Sequence, residues 1–335
     1  MRRIKIAQIG INRYSHAAQI FSRLKKNADV FEIAGYALVE NEREEIPWYH
    51  QIFEGFQELT LEEILNDPGI EAVTVETEEK HLTRYALLAA RYGKHIHMEK
   101  PGGIGAIEFE KLIKTMRSTG KTFHMGYMYR YNPYIAGLLE QVKNGRLGEI
   151  ISVEAQMSCP EPLDCRKWLE NYKGGMMFFL GCHLIDLIFQ IKGKPDNVRS
   201  LNRSTGRDGT ACEDYGMVVF EYRDGISFAK TYGYEIGGFL RRQLVVTGTK
   251  GMVELKPLEV GSEDGMYTER NENIYDPAEK VWDTPGIHSK SVVFDRYDNM
   301  LRSFAAMVRG EKVNPYTLDY ELELYKLILK CCEVN

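Results

Sequence analysis

The sequence predicts an α/β half with a parallel sheet, followed by an α+β half built on an open, mostly antiparallel β-sheet. Three observations point there. Over the first 126 residues, short β-rich runs alternate with stretches of helical periodicity. Beyond about residue 150, short strands follow one another with tight-turn signals and little helix between them. The length of 335 residues, at roughly 150 per domain, suits two domains. The division falls at 1–126 and 127–335, with the last helix free to pack back on the first half.

Ile4 to Ile9 is the first strand and ends in Gly10. Residues 14–26 read as a helix, with Ala17, Ile20, Phe21 and Leu24 at helical spacing. Phe31 to Val39 is the second strand. Thr60-Leu61-Glu62-Glu63 has the form of a capping box, and Pro68-Gly69 stops the short helix it opens. Ala72 to Val75 is a strand, 79–92 a helix closed by Gly93, His95 to Met98 a strand, 106–118 a helix, and Thr122 to Gly126 a strand. Such βαβ units have right-handed crossovers, and ligands sit at the carboxyl ends of their strands.

In the second half, Ile150–Met157, Val198–Ser204, Tyr215–Tyr222, Ile226–Tyr234, Arg242–Thr247 and Met252–Leu255 read as strands of an antiparallel sheet. Arg223-Asp224-Gly225 carries a hairpin signal. A strongly apolar helix at about 175–191 interrupts them. Two helices close the chain, the last with Leu322, Tyr325, Leu329 and Cys332 on its buried face.

Composition narrows the classes. Hydrophobic residues make up 44 % and charged residues 27 %, which argues against disorder and against a disulfide scaffold. The net charge of −5 lacks the basic footprint of a nucleic-acid binder. The six cysteines form no C-x-x-C pair, so neither a zinc site nor a redox dithiol is expected. They read as reduced thiols of a cytoplasmic protein. The longest apolar run, Met176 to Ile191, is broken by His183, Asp186 and Gln190, so no membrane span is expected.

Five segments hold residues suited to chemistry. The first strand–helix turn is Gly10-Ile11-Asn12-Arg13-Tyr14-Ser15. Against the dinucleotide fingerprint G-x-G-x-x-G it keeps the first glycine alone. Asn12 tolerates positive φ and Ser15 is small, so the turn reads either as a nucleotide site or as a plain αβ turn. Where a ribose-gripping acid would end the second strand stands Leu38, with Glu40 two residues on, an acid equally suited to a solvated loop. Glu99-Lys100-Pro101 follows the strand His95–Met98, where a lysine can polarise a hydroxyl or merely end a surface turn. Alternation sets His95, His97 and Glu99 on one face, but no metal site is expected. His183 and Asp186 share a face of the apolar helix, as a general base with its neighbour or as a satisfied core pair. The aromatic stretch Tyr127–Pro133, with Arg130 in its midst, suits sugar or carboxylate recognition or a packed hinge.

Taken together, the order and spacing of these segments resemble the glucose–fructose oxidoreductase / inositol dehydrogenase / MocA family over nearly the whole chain. The resemblance rests on the N-terminal βαβ half, Glu99-Lys100-Pro101, Tyr129-Arg130-Tyr131-Asn132-Pro133, Trp168 before Gly174-Gly175, and Gly181-x-His183-x-x-Asp186. It implies a Rossmann domain followed by a substrate and oligomerisation domain. It implies an NAD- or NADP-dependent oxidoreductase acting on a sugar, cyclitol or similar polyol. Lys100 would polarise the reacting hydroxyl and His183 would take its proton. Gly10, Ile11, Asn12, Arg13, Tyr14, Thr77, Glu99 and Lys100 would hold the cofactor, and Arg130, Trp168, His183 and Asp186 the substrate. A homodimer or homotetramer through the open sheet is implied as well. Two departures stand out: Phe179 replaces an aspartate four residues before the histidine, and two fingerprint glycines and the ribose acid are absent. They leave open a second reading, a non-redox ligand-binding or regulatory member with a degraded cofactor site.

Overall fold

The computed structural model describes residues 2–276 and 286–334. The chain divides into two compact units, Met1–Met128 with Tyr297–Lys326 and Tyr129–Arg296 with Leu327–Asn335.

The first unit runs β1 (Ile4–Ile9), α1 (Ala17–Lys26), β2 (Phe31–Ala37), the single turns α2 (Glu42–Glu45) and α3 (Tyr49–Ile52), α4 (Leu61–Asn66), β3 (Ala72–Val75), α5 (Glu79–Arg91), β4 (His95–Met98), α6 (Ala106–Thr119) and β5 (Phe123–Met125). The five strands are parallel in the order β2-β1-β3-β4-β5. β3 is buried along its whole length, as expected of a central strand covered on both faces. The order reverses between β1 and β3, so their carboxyl ends form the switch point where a ligand crevice opens.

The boundaries that differ from expectation do so for local polar reasons. α1 begins at Ala17, not residue 14. Asn12 Oδ1 accepts the Tyr14 N–H at 3.1 Å and Ser15 Oγ accepts the Ala17 N–H at 3.2 Å, so side chains close the turn before the helix starts. β2 stops at Ala37 because the Val39 N–H turns to the Glu42 carboxylate at 2.8 Å. The capping box forms as read, with Thr60 and Glu63 bonding reciprocally.

The second unit runs α7 (Pro133–Lys143), β6 (Ile150–Ser158), α8 (Leu163–Leu169), a π-helical turn at Met177–Gly181, α9 (Cys182–Lys192), β7 (Asn197–Arg203), β8 (Tyr215–Tyr222), β9 (Gly225–Tyr232), β10 (Gln243–Gly248), β11 (Gly251–Leu255), β12 (Val260–Ser262), β13 (Gly265–Tyr267), β14 (Glu269–Ile274) and β15 (Ile287–Lys290). Eight of these strands form one sheet in the order β15-β14-β11-β10-β6-β9-β8-β7. It is antiparallel except where β6 runs parallel to β9. β6 lies in the middle of the sheet, antiparallel to β10 on one side and parallel to β9 on the other. The β8–β9 hairpin turns at Arg223-Asp224 as expected. Asn132 caps α7, its Oδ1 accepting the Tyr134 N–H at 2.9 Å, with Pro133 at the first helical position. The apolar segment predicted as one helix is the π turn followed by α9.

The chain ends with α10 (Asp298–Val308) and α11 (Leu318–Cys331). α10 and the first part of α11 belong to the first unit, where Phe304 packs on His97 and His124 and Tyr325 packs on Phe109.

Candidate functional site

The first unit gathers its polar groups at the strand ends. Gly10 has φ +80, and a Cβ there would stand 2.6 Å from the Thr77 Cβ. Only glycine fits this approach of the β1 turn to the end of β3. Asn12 occupies the place of the second fingerprint glycine. Its Nδ2 donates to Glu79 Oε2 at 2.8 Å, across the switch point. Arg13 is exposed, its guanidinium 5.5 Å from the ring centres of both Tyr14 and Trp48. The close pass of Gly10 by Thr77, with α1 starting beyond the turn and no side-chain cap from His16, is a strand–turn–helix of the kind that receives a dinucleotide pyrophosphate.

No carboxylate stands free at the end of β2. Leu38 is half-buried, and Glu40 accepts hydrogen bonds from Tyr85 at 2.7 Å and Arg84 at 2.8 Å on α5. Glu42 turns inward instead. Burial pushes its carboxyl up to about 7, against the Val39 N–H, which donates to Oε2 at 2.8 Å and favours the ionised form.

After β3 the sequence singles out Thr77 but not its neighbours Glu76 and Glu79, and all three are buried. Burial pushes Glu79 up to about 8 and Glu76 well above the ordinary glutamate range. Their place directly after a buried parallel strand was the available signal, since ligands sit at such ends. Glu99 behaves differently. Burial raises its carboxyl, but His16, Lys100 and the Lys100 N–H together hold it below the ordinary value. The Lys100 N–H donates to Glu99 Oε1 at 2.9 Å, and Lys100 Nζ lies 3.9 Å from the same oxygen. Lys100 itself is only 1 % exposed.

His97 is committed to the core. Its Nδ1 lies 2.7 Å from His124 Nδ1, and burial lowers its ring to about 4, so it stays neutral at physiological pH. Among the described residues no cluster of His, Cys, Asp and Glu is arranged to hold a metal ion. The six cysteines are free and buried.

In the second unit, α9 places His183 and Asp186 one turn apart, both buried. The Arg130 guanidinium grips Asp186 with two bonds, Nε at 2.9 Å and Nη2 at 2.8 Å, and Gln190 adds a third at 2.9 Å. His183 meets the Tyr129 ring edge-to-face, centroids 5.1 Å apart. The Tyr129 hydroxyl is anchored on Glu259 at 2.5 Å, and Glu259 is held by Arg242 at 2.5 Å and Arg296 at 2.7 Å. Phe179 packs edge-on against the half-buried Trp168, centroids 5.7 Å apart. Gly174, at φ +86, brings backbone against Cys332, which a Cβ would approach to 2.6 Å.

A parallel sheet with a glycine turn at its switch point, followed in one chain by an α+β unit, is the architecture of a dinucleotide-binding fold carrying a second domain. The family model for oxidoreductases with an NAD-binding Rossmann fold matches residues 4–127, and that for the GFO/IDH/MocA C-terminal domain matches residues 135–254. The chain belongs to the Gfo/Idh/MocA oxidoreductase family. It is 27 % identical over 200 residues to trans-1,2-dihydrobenzene-1,2-diol dehydrogenase of Bos taurus, covering 58 % of each chain. It is 25 % identical over 224 residues to the scyllo-inositol 2-dehydrogenase (NADP(+)) IolW of Bacillus subtilis, covering 66 % of this chain and 61 % of that one. The alignments thus span about three fifths of the length of these curated relatives. The fold matches that of an aldose-aldose oxidoreductase from Caulobacter crescentus, with TM-score 0.77 and 18 % identity over 99 % of this chain and 97 % of that one. A 3-ketoreductase from Actinomadura kijaniata gives TM-score 0.77 and 16 % identity over 98 % and 96 %. Among the described residues no helix is long and apolar enough to cross a membrane.

Proposed function

We propose that the chain moves a hydride between NAD(P) and a CH–OH carbon of a sugar, cyclitol or similar polyol. The observation that carries this reading is Lys100, an ammonium buried beside Glu99 at the carboxyl end of β4 in a family of such oxidoreductases. The residues for the cofactor are Gly10, Ile11, Asn12, Arg13, Tyr14, Thr77, Glu99 and Lys100. The nicotinamide, when bound, supplies the hydride acceptor or donor. Lys100 donates a hydrogen bond to the reacting hydroxyl oxygen and favours its deprotonation, and Glu99 restrains the ammonium. His183 takes the hydroxyl proton. With Phe179 where an aspartate would steady it, the histidine is steadied by the fixed Tyr129 ring. Trp168 lines the substrate side. Arg130 and Asp186 spend their charges on each other and so act there by holding α9 in place.

The relatives named for diol and inositol dehydrogenation support a polyhydroxylated substrate. The test is turnover of a sugar and cyclitol panel by wild type, Lys100→Ala and His183→Ala. Each variant is expected to lose about 10²–10⁴-fold in kcat with an unchanged circular dichroism spectrum. Wild-type turnover in both variants overturns the mechanism. We further propose that a second copy covers the open sheet, where Ile151, Leu201 and Ile226 expose apolar side chains. A monomer in sedimentation would refute this.

A further inference from the structure

We propose that Glu79 and Glu42 are positioning residues of the cofactor turn whose carboxyls must be protonated when the dinucleotide binds, so that binding takes up protons. The inference rests on the reading of Gly10–Ser15 as the dinucleotide site.

The placement comes first. Glu79 opens α5 beside the switch point and Glu42 opens α2 beyond β2, and both turn their carboxyls toward the β1 turn. Glu79 acts through Asn12. The Asn12 amide spends its carbonyl on the Tyr14 N–H and its NH₂ on Glu79 Oε2, so the bridge sets the turn that a glycine would otherwise shape. Glu42 acts through backbone. Its Oε1 lies 2.9 Å from where a Gly10 Cβ would be, and its Oε2 accepts the Val39 N–H.

The charge count comes second. Among the described residues, no hydrogen bond or ion pair joins Glu42, Glu76 or Glu79 to a lysine or arginine. A pyrophosphate brings two more negative charges to the same turn. Ionised carboxylates in so dry a place oppose it, and neutral acids do not. Glu79 Oε1 is buried and makes no hydrogen bond, which leaves it free to carry the proton while Oε2 accepts from Asn12. Burial biases both groups the same way, Glu42 to about 7 and Glu79 to about 8. The groups facing Glu79 are Lys100, which favours ionisation, and Glu99, Glu78 and Glu76, which oppose it. Glu42 faces Thr77, Glu40 and Tyr85. His16 faces Glu99, and His97 faces Glu76 at 3.8 Å.

The experiment is titration of the whole protein with NADH and NADPH between pH 7 and 9, by calorimetry in buffers of different ionisation enthalpy. Wild type is expected to take up protons on binding and to lose affinity as pH rises. With groups at about 7 and 8, the ceilings at pH 9 are about a hundredfold for Glu42 and about tenfold for Glu79. Glu79→Gln and Glu42→Gln keep the hydrogen-bond acceptor and are each expected to flatten the profile and bind more tightly than wild type at pH 9. A pH-independent Kd with no proton uptake in wild type overturns the inference while leaving the proposed function intact. Unchanged slopes in both variants overturn it too. No binding of either cofactor at any pH overturns both. The wild-type proton count needs no variant to fold.

Discussion

Asp186 and Glu259, in the second unit, each meet a guanidinium within hydrogen-bond distance, whereas Glu42, Glu76 and Glu79 in the first are as deeply buried and meet none among the described residues. Glu259 shows the consequence of pairing. Burial raises its carboxyl, but Arg296 and Arg242 outweigh it and hold the group below the ordinary value. Burial displaces Glu42, Glu76 and Glu79 upward, with no hydrogen-bonded guanidinium among the described residues to offset it. A matched pair holds architecture in one charge state. Buried acids without a hydrogen-bonded cation weaken the fold when ionised, since Lys100 acts on Glu76 and Glu79 only through space. The difference separates the scaffold around α9 from the turn after β1 proposed for the cofactor.

The largest effect is expected where a pair is broken. Arg130→Met strands the Asp186 carboxylate and should cost about 3–5 kcal/mol in urea unfolding. Adding Asp186→Leu should restore most of the loss. A single variant within about 0.5 kcal/mol of wild type would dissolve the contrast between the units.

An effect of opposite sign is expected in the first unit. Glu79 binds its proton more tightly folded than unfolded. Between the ordinary value of 4.5 and about 8 the folded state therefore holds more protons, and stability falls as pH rises through that window. Glu79→Gln removes the dependence. At about 1.4 kcal/mol per pH unit the ceiling is about 5 kcal/mol, and a gain of about 2–4 kcal/mol at pH 9 is expected, with none at pH 4. Equal stability of variant and wild type at pH 9 would show that Glu79 ionises without penalty.

The smallest effect belongs to a group in neither class. Thr60→Ala breaks an exposed capping box and should cost about 1 kcal/mol at every pH from 6 to 9. A pH-dependent loss there would mean that the pH response is global rather than lodged at the strand ends.

Legibility in the sequence tracks the range of the interactions. The βαβ alternation and the hairpin at Arg223-Asp224 are local patterns, and the structure carries them nearly in register. The π turn before α9 carries Gly181 where a Cβ would strike the Met177 side chain, a constraint the uniformly apolar run does not mark. β14 reads Glu-Arg-Asn-Glu-Asn-Ile and is half-buried throughout, so it has no alternation to betray it. The parallel pairing of β6 with β9 joins segments far apart in the chain, which no local pattern encodes. Lys100 and His183 are singled out in the sequence by family order, while the bond between Arg130 and Asp186 is visible only in the fold. Glu40 lay in the expected loop, but its commitment to Arg84 and Tyr85 depends on α5 packing. Glu76 and Glu79 were hidden because an acidic run ordinarily belongs in water.

The first unit is discontinuous: its sheet is encoded before the whole of the second unit, and α10, which sets Phe304 against His97 and His124, comes after it. During synthesis the parallel sheet therefore waits for the ribosome to finish the intervening unit before that cover arrives. Parallel pairing is already slow to form, because its crossovers must close long loops first. The nascent chain holds a half-covered sheet for the time needed to make the second unit, which is the interval in which chaperone binding or aggregation competes with folding.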